Sequence, residues 1–263
     1  MYRKTFVAGT VLALFAAVSL AQSFDVVVVG SGGAGLSAAI MAKEAGSSVV
    51  VLEKMPYIGG NSNFASGGMN AACTKQQIAG GVTNDSPEIF YQDTMKGGHN
   101  LNNPALLKTL TENARYAEEW LVDLGAKFCF RKGRGGGQSI ARGHGPCDGS
   151  AVGPEVLRVL TPRLKADKVE ILKNHQVVDI LMKDGAVAGV KVKTTKGTET
   201  IDTKAIVLAT GGFGANHAMV EKYPPELQGF AATNQPGALG EGLAPSVKVG
   251  ASFTDIEQIL DHP

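Results

Sequence analysis

The chain has 263 residues, of which 44% are hydrophobic and 19% charged, a balance that excludes disordered and low-complexity proteins. Glycine is frequent at 34 residues, but proline is limited to 11 and no Gly-X-Y repeat indicates collagen. The 25 Lys and Arg nearly balance the 24 Asp and Glu, and because nucleic-acid-binding domains normally carry a basic excess, we predict no nucleic-acid partner.

The first 21 residues have the three parts of a secretory signal peptide. Arg3 and Lys4 supply positive charge, residues 5–20 carry none, and Ser19 to Ala21 offer small residues for cleavage. The 16-residue apolar run is shorter than the roughly 20 residues of a membrane-spanning helix, so we predict no stable membrane span, with an uncleaved anchor as the alternative. The predicted location is the periplasm.

Cysteine and histidine are too scattered to predict a metal site. The three cysteines, Cys73, Cys129 and Cys147, include no C-x-x-C pair, which excludes a zinc ribbon, a thioredoxin-type pair and a haem-attachment motif. The five histidines show no metal-ligand spacing. A disulfide between Cys129 and Cys147 is possible, but we favour buried free thiols.

A strand, a glycine-rich turn, a helix and a second strand follow the signal segment. Residues 24–29 are a β-branched run long enough for one buried parallel strand. Residues 36–45 are predicted to be helical, and residues 49–52 form a second buried strand. This order is typical of the first unit of a dinucleotide-binding domain.

Four residues of this unit are of the types that adenine-dinucleotide binding requires. Gly30, Gly32 and Gly35 form G-x-G-x-x-G, which permits a tight turn, close approach of the backbone to a pyrophosphate, and close packing of helix on strand. Glu53 lies 18 residues after Gly35 and is placed to accept a hydrogen bond from a ribose 2′-OH. Free N–H groups at the helix N-terminus favour the phosphates, so we predict a Rossmann-like domain.

The chain after Glu53 favours a flavin over a nicotinamide. Gly59-Gly60 and Gly67-Gly68 lie eight residues apart with small polar residues between them, where a nicotinamide-binding domain would continue into regular strands and helices. Paired glycines let the backbone lie against a large flat group such as an isoalloxazine ring. A mobile glycine-rich loop is the alternative on these residues alone.

The remaining elements are predicted from periodicity and turn residues. Helices are expected over 103–124 and 152–165. Short β runs predict an antiparallel meander over 169–201, followed by a buried strand at 205–208 that returns to the parallel sheet. The predicted fold class is α/β, a Rossmann-like domain with a parallel sheet and an inserted antiparallel β-meander.

A glycine-rich basic loop separates the two predicted helices. Residues 131–144 contain Arg-Gly sequences without interleaved aromatic residues, so they do not indicate a single-stranded nucleic-acid site. We predict a surface loop near the cofactor that faces substrate or a partner, with His144 as a candidate for the mouth of the site. His99, His175 and His217 are expected to be surface or internally hydrogen-bonded residues.

Several segments resemble one family of flavoproteins. Residues 53–72 (EKMPYIGGNSNFASGGMNAA), 206–216 (IVLATGGFGAN) and 233–242 (TNQPGALGEG), with the final DHP, are similar to the flavoprotein of periplasmic fumarate reductases of the flavocytochrome c type. This family belongs to the fumarate reductase/succinate dehydrogenase superfamily. The resemblance covers residues 24–263.

The resemblance implies a domain organisation and an activity. Residues 22–257 would form the first, incomplete segment of an FAD-binding domain, and 258–263 would begin a connection to a capping domain absent from this chain. The implied protein is the flavin subunit of a reductase that passes a hydride from the N5 atom of FAD to an α,β-unsaturated carboxylate such as fumarate. A separate c-type cytochrome is the expected electron donor. The proton-donating Arg of the family is expected beyond Pro263, so no catalytic residue is predicted within the chain.

The resemblance also implies site residues. The residues expected to bind the cofactor are Gly30, Gly32, Gly33, Ala34, Gly35, Glu53, Lys54, Gly60, Asn61, Ser62, Ser66, Gly67, Gly68, Val178, Thr210, Gly211 and Glu241. Substrate binding is expected at Gly67 and at His262, whose imidazole would hydrogen-bond a carboxylate. Relatives that attach FAD covalently use a His near residues 58–66, and because the first His here is His99, the FAD is expected to be non-covalent.

Two positions depart from the family pattern, and two other functions stay open. Glu241 stands where the family commonly has Asp beside the cofactor, and Pro245 falls within the helix expected after it, where proline removes a backbone donor. Both are expected to weaken that corner of the site. The alternatives are another FAD enzyme on the same scaffold, such as a ketosteroid dehydrogenase, and a non-catalytic FAD-binding fragment.

Overall fold

The computed structural model describes residues 22–259. The predicted signal peptide and His262 lie outside the described residues. The strands are β1 (Ser23–Val29), β2 (Val49–Glu53), β3 (Met69–Asn70), β4 (Phe128–Arg131), β5 (Gly143–Pro146), β6 (Glu170–Lys173), β7 (Gln176–Lys183), β8 (Ala186–Thr194) and β9 (Gly197–Leu208). The helices are α1 (Gly33–Glu44), α2 (Lys75–Ala79), α3 (Pro87–Gly97), α4 (Pro104–Asp123), α5 (Val152–Ala166), α6 (His217–Lys222) and α7 (Leu243–Lys248), with short 3-10 helices at Gly60–Phe64 and Pro225–Leu227.

The main sheet has six strands in the order β6-β2-β1-β9-β8-β7. The first four run parallel, and β9, β8 and β7 form an antiparallel meander. Strand β9 belongs to both parts, because residues 197–202 pair with β8 and residues 202–208 pair with β1. The predicted α/β class, with a parallel sheet and an inserted meander, is confirmed.

Both faces of β1 and β2 are buried. Val28 and Val51 pack on one face, in a cluster that includes residues of α1 and α5. Val27 and Val50 pack on the other face, in a cluster that includes Val190 of the meander. A parallel strand covered on both sides needs apolar side chains at every position, which is why the sequence shows a continuous valine run rather than an alternation.

Two predicted strand assignments are wrong in detail. The run at Glu170–Lys173 was expected in the meander, but it follows α5 and pairs parallel with β2, as a strand–helix–strand crossover directs. Ala205–Leu208 was expected to be buried, yet Ala205 is exposed and Leu208 is 44% exposed. This end of β9 lies at the carboxyl edge of the sheet, where Leu208 lines an open cleft.

The helix ends lie at residues whose types favour the start or the end of a helix. The Asn103 side chain accepts hydrogen bonds from the N–H groups of Ala105 and Leu106, and α4 ends just before Gly125. The predictions at 103–124 and 152–165 are confirmed to within two residues. Helix α1 begins three residues earlier than predicted, because the glycines of the turn form its first turn. No helix of the described part of the chain is long and apolar enough to cross a membrane.

A second, three-stranded antiparallel sheet has the order β3-β5-β4 and carries a disulfide. Cys129 lies on β4, Cys147 directly follows β5, and their Cα atoms are 4.9 Å apart, a separation that suits a disulfide. The preference for free thiols is therefore wrong at these two residues, since sequence spacing does not reveal which strands pair. Cys73 is free and half-buried.

Candidate functional site

An open cleft lies at the carboxyl ends of β1, β2 and β9, where ligands bind in parallel α/β sheets. It is lined by the turn after β1, the 3-10 helix at Gly60–Phe64, the start of β7 and the loop before α7, and it is open to solvent. The cleft is therefore elongated, a shape that suits an extended ligand.

The turn between β1 and α1 packs at distances that only glycine permits. A Cβ atom at Gly30, where φ is +106°, would lie 2.3 Å from the carbonyl oxygen of Ala209. A Cβ atom at Gly35 would lie 2.0 Å from the carbonyl oxygen of Gly30. The sequence predicted close packing of helix on strand at Gly35, and the geometry agrees with it.

The N-terminus of α1 faces this cleft. Gly32, Gly33 and Ala34 all line it, and the first N–H groups of a helix have no carbonyl partners within the helix. The Gly33 N–H donates to Ser62 Oγ at 2.9 Å, which fixes the 3-10 helix against the turn. N–H groups at a positive helix end form a site for an anionic phosphate.

Glu53 is held in place at the end of β2. Its Oε2 atom accepts hydrogen bonds from Ser31 N at 3.1 Å and Ser31 Oγ at 2.6 Å, and its Oε1 atom accepts one from Met55 N at 2.8 Å. The residue is only 7% exposed and lines the cleft. Because a carboxylate oxygen has two acceptor sites, Oε1 retains capacity for a ribose hydroxyl.

A cluster of polar side chains lies beside Glu53. Lys54 forms an ion pair with Glu241, and Gln176 Nε2 donates to the other oxygen of that carboxylate at 3.0 Å. His175 adjoins it, with its backbone N–H donating to the carbonyl oxygen of Glu53 at 2.9 Å. Glu241, which stands where the family commonly has Asp, joins three segments of the chain there.

Pro245 does not break α7. It is the third residue of the helix, in the first turn, where backbone N–H groups have no partner within the helix. Its missing N–H therefore costs the helix no hydrogen bond.

The structure brings most of the predicted cofactor-binding residues together. The cleft is lined by Gly30, Gly32, Gly33, Ala34, Glu53, Lys54, Gly60, Asn61, Ser62, Thr210, Gly211 and Glu241. The predicted residues outside the lining are Gly35, Ser66, Gly67, Gly68 and Val178. Val178 is 37% exposed, and its buried neighbour Val177 lines the cleft instead, because successive residues of a strand point to opposite faces.

Sequence reasoning missed several residues of the lining. His175 and Gln176 belong to it, although neither lies in a recognisable motif. Leu208 and Gln235 also belong to it, and they lie within the segments 206–216 and 233–242 that resemble the family, although they were not predicted as site residues. His175 lies between β6 and β7, and Gln176 is the first residue of β7, so both reach the cleft where the chain passes from the parallel sheet to the meander. His175 had been expected to be a surface or internally bonded residue, and its Nδ1–H donates to the Lys173 carbonyl at 2.7 Å.

The predicted surface loop is exposed only in its first part. Residues 132–137 are exposed, but Arg142 is 1% exposed and its guanidinium binds Asp85 at 2.7 Å and Asp93 at 2.8 Å. Burial opposes the ionisation of Asp93, yet its hydrogen bonds from Arg142 and Ser139 hold the pKa of that carboxyl below its usual value. Arg142 therefore joins the loop to the two acids rather than facing a partner.

His144 does not lie at the mouth of the site. It is fully buried, with Nδ1–H donating to the Arg142 carbonyl at 2.9 Å and Nε2 lying 2.7 Å from Thr74 Oγ1. Burial lowers the pKa of His144. Its carbonyl oxygen lies against Gly68, where a Cβ atom would approach it to 2.7 Å. The backbone of His144 thus packs directly against Gly68.

A protein-family model described as an FAD binding domain matches residues 25–263. The chain belongs to this FAD-binding domain family. This FAD-binding domain is 50% identical over 243 residues to NADH:fumarate oxidoreductase of Klebsiella pneumoniae (strain 342), which covers 92% of this chain and 26% of that protein. It is 45% identical over 244 residues to "Fumarate reductase (cytochrome)" of Shewanella frigidimarina, covering 92% of this chain and 42% of that protein.

A solved structure shares the fold of this FAD-binding domain. The open conformation of a flavocytochrome c3 fumarate reductase superposes with a TM-score of 0.88 at 38% identity, over 92% of this chain and 43% of that one. The resemblance to fumarate reductase flavoproteins is therefore confirmed. The chain spans between about a quarter and two fifths of the length of these relatives.

The residues present fit FAD. The cleft offers helix N–H groups for a pyrophosphate, a carboxylate oxygen for a ribose hydroxyl, and glycine backbone at Gly60 and Gly211, where no protein atom closer than 4.0 Å would meet a Cβ atom, so that an extended ligand has room. When bound, FAD supplies hydride transfer, which no amino-acid side chain provides.

Proposed function

We propose that this FAD-binding domain is the flavin-carrying part of a reductase of α,β-unsaturated carboxylates such as fumarate. The observation that carries the proposal is the glycine-lined cleft, in a chain that is 45–50% identical to two proteins named for fumarate reduction. The residues of the cleft would hold FAD, which would supply hydride chemistry for reduction of the substrate double bond.

The chain's own residues bind and orient the two ligands. Gly32, Gly33 and Ala34 present the N-terminus of α1 to the pyrophosphate, and Glu53 accepts from a ribose hydroxyl. Ser66, Gly67 and Gly68, together with Thr210 and Gly211, provide backbone for the flavin half. His262 and Gly67 bind the substrate. The His262 imidazole donates a hydrogen bond to a substrate carboxylate, and that contact stabilises the negative charge that develops on the substrate.

FAD is held non-covalently in this proposal. Covalent attachment through histidine needs a ring nitrogen beside the flavin, and no His precedes His99 in the sequence. Among the described residues, His175 is the histidine that lines the cleft, and it adjoins Glu53 at the ribose end.

The electron donor is a c-type cytochrome and the location is the periplasm. A relative named "Fumarate reductase (cytochrome)" and the signal-like N-terminus support both statements. The Cys129–Cys147 disulfide supports export, because disulfides persist in oxidising compartments. The Klebsiella relative is named for NADH, which makes NADH the competing donor.

The test is fumarate reduction by the native protein that contains this chain. Reduced methyl viologen serves as a general donor, and reduced cytochrome c and NADH are then compared. We expect turnover with both reduced methyl viologen and reduced cytochrome c. His262→Ala should raise KM for fumarate at least tenfold, whereas His217→Ala, a change at an exposed residue of α6, should leave KM unchanged. A flavin-loaded protein that reduces no unsaturated carboxylate would contradict the proposed activity. Turnover with NADH but not with reduced cytochrome c would contradict a cytochrome as the electron donor.

A further inference from the structure

Arg131 is a half-buried cation that lies beside the Gly67-Gly68 segment. It is the last residue of β4, and its Nη1–H donates to the Gly67 carbonyl oxygen at 3.4 Å. Its Nη2–H donates to the Ser150 carbonyl oxygen, also at 3.4 Å. Both contacts are longer than the usual N–H···O distance of about 2.7–3.2 Å, so they are weak. Because a guanidinium has five N–H donors, these two contacts leave three of them without a partner within residues 22–259.

Arg131 also forms no ion pair with any residue of the described range 22–259. Asp148 lies two residues before Ser150, but its Oδ1 atom accepts from the Ser150 N–H at 2.9 Å rather than from Arg131. By contrast, the guanidinium of Arg142 binds two carboxylates. A charge that is partly removed from water costs free energy unless an opposite charge compensates it, so an anionic ligand would complete the surroundings of Arg131.

A buried glycine on the neighbouring strand makes room for this guanidinium. A Cβ atom at Gly145 of β5 would lie 2.5 Å from Arg131 Cζ, and a Cβ atom at Gly68 would lie 3.6 Å from Arg131 Nη1. The guanidinium therefore occupies space that a side chain at Gly145 would fill, and it lies against the backbone next to Gly67 and Gly68. A cation held in this way binds an anion at a lower cost in side-chain entropy than an extended surface cation.

We infer that Arg131 is a substrate-binding residue that holds one carboxylate of the substrate and selects dicarboxylates over monocarboxylates. The inference rests on the proposed function, in which Gly67 and His262 bind the substrate. The His262 imidazole takes one carboxylate, and the remaining N–H groups of Arg131, beside Gly67, take the other. A guanidinium suits this role because two of its N–H groups match the two oxygens of a carboxylate.

The experiment measures, by titration calorimetry, the binding of fumarate and of monomethyl fumarate to the oxidised native protein that contains this chain. Monomethyl fumarate differs only in that one carboxylate is a neutral ester, so the comparison isolates the second carboxylate. Arg131→Met removes the charge, and Arg131→Lys retains it. Lys132→Met is the matched control, because it removes an exposed cation from the next position. Flavin content and thermal unfolding show whether each variant is loaded and folded.

We expect Arg131→Met to raise Kd for fumarate about tenfold, as loss of a charge-assisted contact should, and Arg131→Lys to raise it by a smaller factor. Kd for monomethyl fumarate should change by less than about twofold in both variants, and Lys132→Met should change neither Kd by more than that, because solvent screens an exposed charge.

A folded, flavin-loaded Arg131→Met variant that keeps its affinity for fumarate, or that loses as much affinity for the ester, would overturn the inference alone. An equal effect of Lys132→Met would also overturn it, because the effect would then come from the general charge of the loop. An unaltered, flavin-loaded protein that neither binds nor reduces fumarate would overturn the proposed function and the inference together.

Discussion

At Gly35 a single hydrogen atom in place of a side chain decides how closely α1 approaches the sheet. A Cβ atom there would lie 2.0 Å from the Gly30 carbonyl oxygen, and it would also approach Ala209 Cβ to 3.3 Å. Gly35→Ala should therefore destabilise the chain by about 1–3 kcal/mol, the usual cost of overpacking, even though alanine is the better helix former. Urea unfolding measures the loss.

The matched control is Gly133→Ala, because a Cβ atom at Gly133 would have no neighbour within 4 Å and the residue lies in an exposed loop. Its stability should stay within about 0.5 kcal/mol of the unaltered chain. Equal effects of the two substitutions would show that the close contact at Gly35 does not exist.

Glu118 on α4 is a fully buried carboxyl that forms no ion pair within residues 22–259. Its Oε1 atom accepts from Gln76 Nε2 at 3.1 Å, and no partner for Oε2 is found among the described residues. Burial, assisted by the neighbouring charge of Glu119, raises the pKa of Glu118 to about 7. An acid whose pKa is raised by folding stabilises the folded chain when protonated, and that stability is lost as pH rises.

The loss begins near the unfolded pKa of Glu, about 4.3, and is complete above the folded value near 7. Glu118→Gln should remove this dependence, so the variant gains stability relative to the unaltered chain between pH 5 and pH 8, by about 2–3 kcal/mol in total. Unfolding midpoints at the two pH values measure it. Glu112→Gln, on the exposed side of the same helix, should show no such gain. If the stability difference between Glu118→Gln and the unaltered chain were the same at pH 5 and pH 8, the pKa of Glu118 would not be raised.

At the scale of elements, the disulfide closes the loop that contains the glycine-rich basic segment. Cys129 and Cys147 are 18 residues apart, and a closed loop of about 15 residues stabilises a protein by about 3 kcal/mol in the chain-entropy model. Replacing both cysteines by serine should lower the unfolding temperature by several degrees, and a reductant should lower that of the unaltered chain equally.

Cys73→Ser supplies the control, because Cys73 is free and its variant should keep the full sensitivity to reductant. Insensitivity of the unaltered chain to reductant would mean that the disulfide does not form in solution.

Elements whose signals are local could be predicted from the sequence, and those set by pairing could not. The valine run of β1, the capped helix α4 and the glycine turn each depend on a few neighbouring residues. The disulfide, the burial of Arg142 between Asp85 and Asp93, and the place of β6 in the parallel sheet depend on which distant segments meet. The same distinction explains the site, since the glycine motif was predicted whereas His175 and Gln176 reach the cleft only through the crossover after β6.

At the scale of the whole molecule, helices and the meander end of the sheet pack on opposite faces of the parallel strands and leave their carboxyl edge open. The helices cover one face of β1 and β2, the meander covers the other, and β9 takes part in both the parallel sheet and the meander. The ends of β1, β2 and β9 and the turn before α1 meet at the open edge, and all of them line one extended cleft. That arrangement gives an extended ligand such as a dinucleotide cofactor one continuous site at the edge of the sheet.

The most direct test is to saturate the chain with FAD, remove the excess, precipitate the protein with acid and identify the flavin in the supernatant by chromatography. We expect one FAD released per chain and a colourless pellet, because the cofactor would occupy the cleft at the sheet edge without a covalent bond. A chain that retains no FAD, or a pellet that keeps the flavin after precipitation, would contradict it.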